Sequence, residues 1–347
     1  MKKLLTLLAA LVFTSFMAAN ATCWRVNPSP FAKAKFKTVE EAMNDINVLA
    51  GDTLLLDPGK HGNVNVTPRN NITIIGAGYF LDKNKTWAES QSTIVGSVVL
   101  GTGSKIEGCN AALISQSNNS EKVSVSRCKI DSYISLNSNS NSNVIERCIV
   151  DGSVHGGMGT IIRNNIINGS ISDQEGSIIE NNIVYGYGRS GYGDILIYSV
   201  NNSTIRNNIF INTRPGFDSN QIPNACKIYA NNCTNNVIQN NVLSVAERYI
   251  DSSDMFKGYP NNYYVGATIE DTFVNTGSDD AKWQLLETSA AKGAATHGGD
   301  CGAFGGPTPY VLSGIPMFLP HITEALVPAK PTDGKITVKL KIENQNE

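Results

Sequence analysis

A seven-residue pattern of apolar residues around a polar pair recurs through the middle of this chain, and it limits the possible folds more than any other feature. It reads VIERCIV, IIRNNII, IIENNIV, TIRNNIF and VIQNNVL, beginning at Val144, Ile161, Ile178, Thr204 and Val237. Aligned on the second member of the pair, the series is Cys148, Asn165, Asn182, Asn208 and Asn241, and the frame extends back to Cys128 and Cys109. The intervals are 19, 20, 17, 17, 26 and 33 residues. Helical repeats need longer periods, and no window inside the repeats keeps apolar residues spaced by three and four. Leucine-rich repeats share the length, but their leucine frame is missing. Short β-branched runs bounded by Asn, Gly and Ser predict strands joined by tight turns.

One such coil cannot satisfy its own backbone. Stacked coils can, because each short strand then finds hydrogen-bond partners above and below at about 4.8 Å. The expected fold is all-β: a single-stranded, right-handed parallel β-helix with an N-terminal capping helix and a short C-terminal extension. Side chains at one register then form columns. An inward Asn column can link its amides along the rod, and Asn tolerates the left-handed backbone of a sharp bend. Cys109, Cys128 and Cys148 enter the same column as small apolar fillers. A disulfide ladder fits less well, since Cβ atoms one coil apart lie near 4.8 Å, beyond the favoured ~3.5–4.5 Å. No His column accompanies them, which argues against zinc.

The first 21 residues read as an export signal: Lys2 and Lys3, an apolar run from Leu4 to Phe16, then Ala19-Asn20-Ala21. The run is too short to span a bilayer, and no other segment looks transmembrane. The protein is expected to be secreted, in the periplasm or at the cell surface, and to act as a monomer. With 28 Lys plus Arg against 30 Asp plus Glu, charge gives no reason to expect nucleic acid.

Residues 22–306 are expected to form the β-helix, with its cap at about 36–50. Thr38 and Glu41 make a capping box, and Val39, Ala42, Met43 and Ile46 an apolar stripe, so a helix over Thr38–Val48 should lie across the first coil. Residues 307–347 read as a Pro-rich tail ending in one strand, KITVKLKI from Lys335, expected to dock along the rod, with an attachment stub as the alternative.

After the cap come GDTLLLDPGKHGNVNV and NITIIGAG. With the NN repeats, these make the chain resemble the pectin-lyase-like β-helix superfamily over about Phe36–Gly306. The segment Lys282–Gly306 is similar to those that close β-helices in exported proteins. The resemblance implies a polysaccharide partner, held in a groove on the strands about eleven residues before each NN pair. Aligning Ile134, Val154, Ile171, Ile197 and Ile228 as inward turns three columns outward. They are Asp131, Asp151, Asn168, Asp194 and Ala225; Tyr133, Ser153, Ser170, Leu196 and Lys227; and Ser135, His155, Ser172, Tyr198 and Tyr229.

The two long intervals feed the same strands. One carries Tyr185, Tyr187, Arg189, Tyr192 and Asp194; the other carries Arg214, Phe217, Asp218 and Lys227. Tyr-rich, Gly-rich loops on a regular scaffold offer flat faces to sugar rings, so Tyr133, Tyr185, Tyr187, Arg189, Tyr192, Tyr198 and Tyr229 are substrate-binding candidates. Catalytic candidates are Lys227, Asp194, Asp151, Arg214 and His155. For β-elimination from a uronic acid, Lys227 or Arg214 would take the proton. Calcium, the one cofactor expected, would sit on Asp131 or Asp151. For glycoside hydrolysis, Asp151 and Asp194 would stand two coils apart at about 10 Å, just beyond the inverting separation of roughly 6.5–9.5 Å. The NTD, paired-Asp, GHG and RIK motifs of polygalacturonases are absent, as are the calcium and Arg patterns of pectate lyases. A polysaccharide lyase therefore stands ahead of a hydrolase, beside a third reading as a non-catalytic glycan-binding or cell-surface structural module.

Overall fold

A computed structural model describes residues 21–80, 92–186, 196–212, 230–231, 233–244, 255–258, 261–264, 268–315, 321–326, 328, 330 and 335–343. It is a right-handed parallel β-helix built on two large sheets, one of which curls through 312° round an axis. Each coil presents three faces. The first is a ten-stranded parallel sheet from Cys23–Val26 to Val237–Gln239, including Val144–Glu146 and Ile161–Arg163. The second carries Ile149–Val150, Ile166–Asn168 and Ile183–Gly186. The third carries Ile134–Ser135, Val154–His155 and Ile171–Glu175. The second and third belong to one sixteen-stranded sheet, joined through Thr93–Leu100 and Asn110–Gln116.

Register follows the repeat. Ile145 pairs with Ile162, then Ile179, Ile205 and Ile238, and each is buried. Flanking side chains point outward, where the first face pairs Arg163 with Glu146 at 2.6 Å and Arg206 with Glu180 at 2.7 Å. At the corner after this face the first member of each pair takes a left-handed conformation: Arg127, Arg147, Asn164, Asn181, Asn207 and Asn240 all have positive φ. The second member turns inward. The Asn165 amide nitrogen donates to Asn182 Oδ1 at 3.0 Å, Asn182 to Asn208 at 3.0 Å, Asn208 to Asn241 at 3.0 Å and Asn241 to Asn262 at 3.2 Å. The corner before the first face has a second polar column that the repeat pattern did not reveal. In it Thr160 N–H donates to Ser177, Ser177 N–H to Ser203, and Ser203 N–H to Asn236.

Cys109, Cys128 and Cys148 are buried and unbridged. Burial pushes the Cys109 and Cys148 thiols well above their ordinary pKa and that of Cys128 up to about 12. The thiolate is the reactive species, so these thiols should stay unmodified by iodoacetamide at pH 8 in the native protein, while exposed Cys23 reacts. Peptide mapping by mass spectrometry reads this directly. Native-state labelling of Cys128 would contradict its packing.

The cap helix is shorter than expected, spanning Val39–Asn44. Thr38 accepts from Glu41 N–H at 3.1 Å, and Val39, Ala42 and Met43 are buried. Ile46 falls outside the stripe and is 83% exposed. The Asp45 carboxylate accepts the Asn47 N–H at 2.8 Å, a local turn that competes with helix continuation.

The C-terminal region differs most from expectation. Lys282–Gly306 does not lie across the rod's end; it runs back along its flank as a strap. Asn240 donates to Ala294 O, Asn181 to Asp300 O, and Asn164 to Ala303 O and Gly305 O; Arg147 donates to Thr308 O and Arg127 to Ile315 O. Beneath it the outward residues of the second face, Ile149, Ile166, Ile183, Ile209 and Val242, form a second core with Phe273, Trp283 and Tyr310. The tail's last strand also finds a partner inside the tail, since Lys339–Glu343 pairs antiparallel with His321–Leu326. No helix among the described residues is long and apolar enough to cross a membrane.

Candidate functional site

Covering the second face leaves the first, with its outward Arg–Glu pairs, and the third, which carries the candidate residues. Ile134 pairs with Val154, then Ile171 and Ile197, all inward, as the sequence alignment has it. The next partner is Ala230, eleven residues before Asn241 as in the three preceding coils, rather than Ile228, two residues earlier. The Ser135, His155, Ser172 and Tyr198 column therefore continues to Asn231, not Tyr229. Leu196, expected to face outward, is buried. The column of Asp131, Asp151 and Asn168 continues to Tyr185, not Asp194: Asn168 pairs with Tyr185, and the extra residues enter only after it.

The turn between second and third faces brings the coils close. A Cβ on Gly152 would lie 1.9 Å from Ser132 O, and one on Gly169 would lie 2.6 Å from Gly152 O. Glycine at this corner holds the two acidic residues on adjacent coils. Asp131 and Asp151 share one cation, the Lys129 ammonium, which bonds to Asp131 and approaches Asp151 at 3.2 Å. Burial lowers the lysine's pKa, but the two carboxylates outweigh it and the net shift is upward. An ammonium held this firmly is a poor general base, and a calcium ion would have to compete with it. Among the described residues, no cluster of three or more His, Cys, Asp or Glu side chains could hold a metal. Sequence reasoning passed over Lys129. Its signal was the Lys-x-Asp alternation at 129–131, with a second Asp one coil on.

Beyond the turn, Tyr133 and His155 lie on neighbouring coils with ring centroids 5.6 Å apart and planes tilted by 38°. Tyr133 is 38% exposed. Ser153 and Ser170 hydroxyls meet at 3.0 Å, and Ser172 donates to Asp173 at 3.0 Å. Tyr198 stands two coils from His155 in the same column, half-buried. The row thus offers a phenol, an imidazole and hydroxyls along the rod axis.

Tyr185 is placed elsewhere. Its ring packs on Trp283 of the strap at 4.0 Å between centroids, and burial pushes its phenol above the ordinary pKa. That face is taken by protein. Asp194, Lys227, Arg214, Arg189, Tyr187, Tyr192 and Tyr229 lie outside the described residues. Residues 187–195 follow Ile183–Gly186 and precede Ile197–Asn201; residues 213–229 follow Ile209–Asn212 and precede Ala230–Asn231. The last described residues before each, Gly186 and Asn212, stand one step past the column of Asp131 and Asp151 in earlier coils.

No protein-family model and no curated protein matches this chain.

Proposed function

We propose that this chain is an exported β-helix protein that binds polysaccharide along the third face. The half-exposed Tyr133 ring beside His155, at the head of a hydroxyl-lined row parallel to the rod, carries the reading. Aromatic faces take the apolar side of a sugar ring while neighbouring hydroxyls take its polar edge. The resemblance of GDTLLL, ITIIG and the NN repeats to the pectin-lyase-like superfamily supports the same ligand class.

Catalysis is a second reading, favoured by the candidate acid and base residues that the two long intervals of the sequence carry. In it, Lys227 or Arg214 removes a proton from a uronic acid unit in a lyase reaction. Glycoside hydrolysis is less favoured. Asp131 and Asp151 share an ammonium, which leaves neither set up as the proton donor that hydrolysis needs.

Incubation with pectins, alginates and glycosaminoglycans, with and without calcium, separates these readings. Lyase action appears as absorbance of the unsaturated product, hydrolysis as reducing ends alone, and a binding module as retention without either. Tyr133→Ala should weaken binding by about fivefold, the equivalent of ~1 kcal/mol for one aromatic contact. If activity is found, Lys227→Ala or Asp194→Ala should abolish it. Failure of every polymer to bind would overturn the glycan reading.

A further inference from the structure

We infer a second binding site at the corner between the third face and the first face, one that takes an uncharged sugar residue through its hydroxyl groups. In two coils the chain spends three residues more here than in those that follow. Ile114 to Ser124 and Ile134 to Val144 are ten residues apart, whereas Val154 to Ile161, Ile171 to Ile178 and Ile197 to Thr204 are seven. The extra residues form two stacked β-turns. Ser120 N–H closes one on Ser117 O at 3.2 Å, and Ser140 N–H closes the other on Asn137 O at 2.9 Å.

The ledge is rigidly supported. Gln116 Nε2 donates to Ser120 O and to Ser140 Oγ, both at 2.7 Å, and Asn143 Nδ2 donates to Ser140 Oγ at 2.9 Å. These supporting side chains are all buried. Asn137 ties the turns together, its N–H reaching Gln116 Oε1 at 3.0 Å and its side chain Ser117 O at 2.5 Å.

Above this network lies a concavity of 570 Å³, the size of a small-ligand pocket, lined with polar side chains. Asn118, Asn119, Ser138 and Asn139 line it, and their side chains make no hydrogen bond within the described residues. Unpaired amides that both donate and accept, carried beside a hydroxyl on turns held from below, match the paired hydroxyls of a sugar. The one charge in the lining is the Glu121 carboxylate, whose partner Lys122 is spent on it at 3.1 Å. A uronate would meet a carboxylate with no spare cation, so the site selects a neutral residue.

The ligand class rests on the glycan reading above; the concavity is separate from the Tyr133 row. Calorimetry with neutral tetraoses of glucose, mannose, xylose and galactose, with tri-galacturonate and with calcium chloride alone, tests it on the mature protein. At least one neutral tetraose should bind. Asn118→Ala combined with Asn139→Ala should weaken it about tenfold, as expected for two or three lost hydrogen bonds. Ser138→Trp should abolish it by filling the concavity. Both variants should unfold at the wild-type midpoint, because they leave the buried network alone. Neutral-sugar binding unchanged in both variants, absence of binding by any neutral tetraose, or a response to calcium alone would overturn the inference. Retained tri-galacturonate binding in that event would leave the third-face reading standing. Loss of tetraose binding in the variants, with no polymer held at the Tyr133 row, would sink that reading and keep this one.

Discussion

Replacing Asn182 with Ala should cost about 3–5 kcal/mol of folding stability. Asn182 Nδ2 donates to Ile162 O at 2.8 Å and to Asn208 Oδ1 at 3.0 Å, while its Oδ1 accepts from the N–H and the side-chain amide of Asn165, each at 3.0 Å. The side chain is fully buried, so no water can replace it. Alanine would strand the Ile162 carbonyl and the Asn165 N–H, at about 1–3 kcal/mol for each unsatisfied group, and would leave a cavity as well. The loss should spread to neighbouring coils, because each coil is held only by the two beside it. Exposed Asn168 is the control, and Asn168→Ala should change stability by less than about 0.5 kcal/mol. Urea denaturation of both variants decides the matter. An Asn182→Ala midpoint equal to that of the control would mean the column does not hold the coils together.

The interior was legible because it is periodic. The NN frame gave the inward column and the corner, and counting back eleven residues gave Val154, Ile171 and Ile197 in correct register, with Ile134 fourteen back in a coil that carries three extra residues. The same eleven-residue count from Asn241 reaches Ala230, the partner in the structure; choosing the more apolar Ile228 two residues earlier kept the parity of the strand and missed its register.

The strap was illegible for a different reason. Lys282–Gly306 is rich in Gly, Ala and Thr without period, so nothing in it declares a partner. Its partner is ambiguous too: Ile149-Val150, Ile166-Ile167 and Ile183-Val184 place two apolar residues in succession, but so do Ile161-Ile162 and Ile178-Ile179 on the first face, where Ile178 is 38% exposed, so the pairs alone do not tell which face is covered. The consequence for the site is direct. Tyr185 looked like a sugar platform from its Tyr-Gly neighbourhood, yet it continues the Asp131–Asp151–Asn168 column up to the strap's edge, where Trp283 takes its ring.

Asp280→Ala should unfasten that strap. The Asp280 side chain is completely buried where the strap folds back on the rod. One oxygen accepts from the Ser278 hydroxyl at 2.6 Å and the Ala281 N–H at 3.0 Å; the other accepts from the Ser313 N–H at 2.7 Å and the Tyr310 hydroxyl at 3.4 Å. Tyr310 in turn meets the Tyr79 hydroxyl at 2.6 Å, and Ser313 O accepts the Tyr79 N–H at 2.8 Å. One carboxylate thereby joins residues 278–281 to 310–313 and, through Tyr79, to an early coil. Hydrogen bonds to a charged group contribute about 1.5–3 kcal/mol each, so losing the set should destabilise the strap by about 3–5 kcal/mol. The effect should be regional, because the inner core of Ile145, Ile162 and Ile179 does not depend on Asp280. Limited proteolysis should cut the variant between residues 273 and 315 under conditions that leave the wild type intact, with the coils surviving as a resistant fragment. Asp280→Asn keeps an acceptor for the Ser313 N–H and should recover part of the protection. If cleavage is equal in wild type and Asp280→Ala, the outer apolar column alone holds the strap and the buried carboxylate is dispensable.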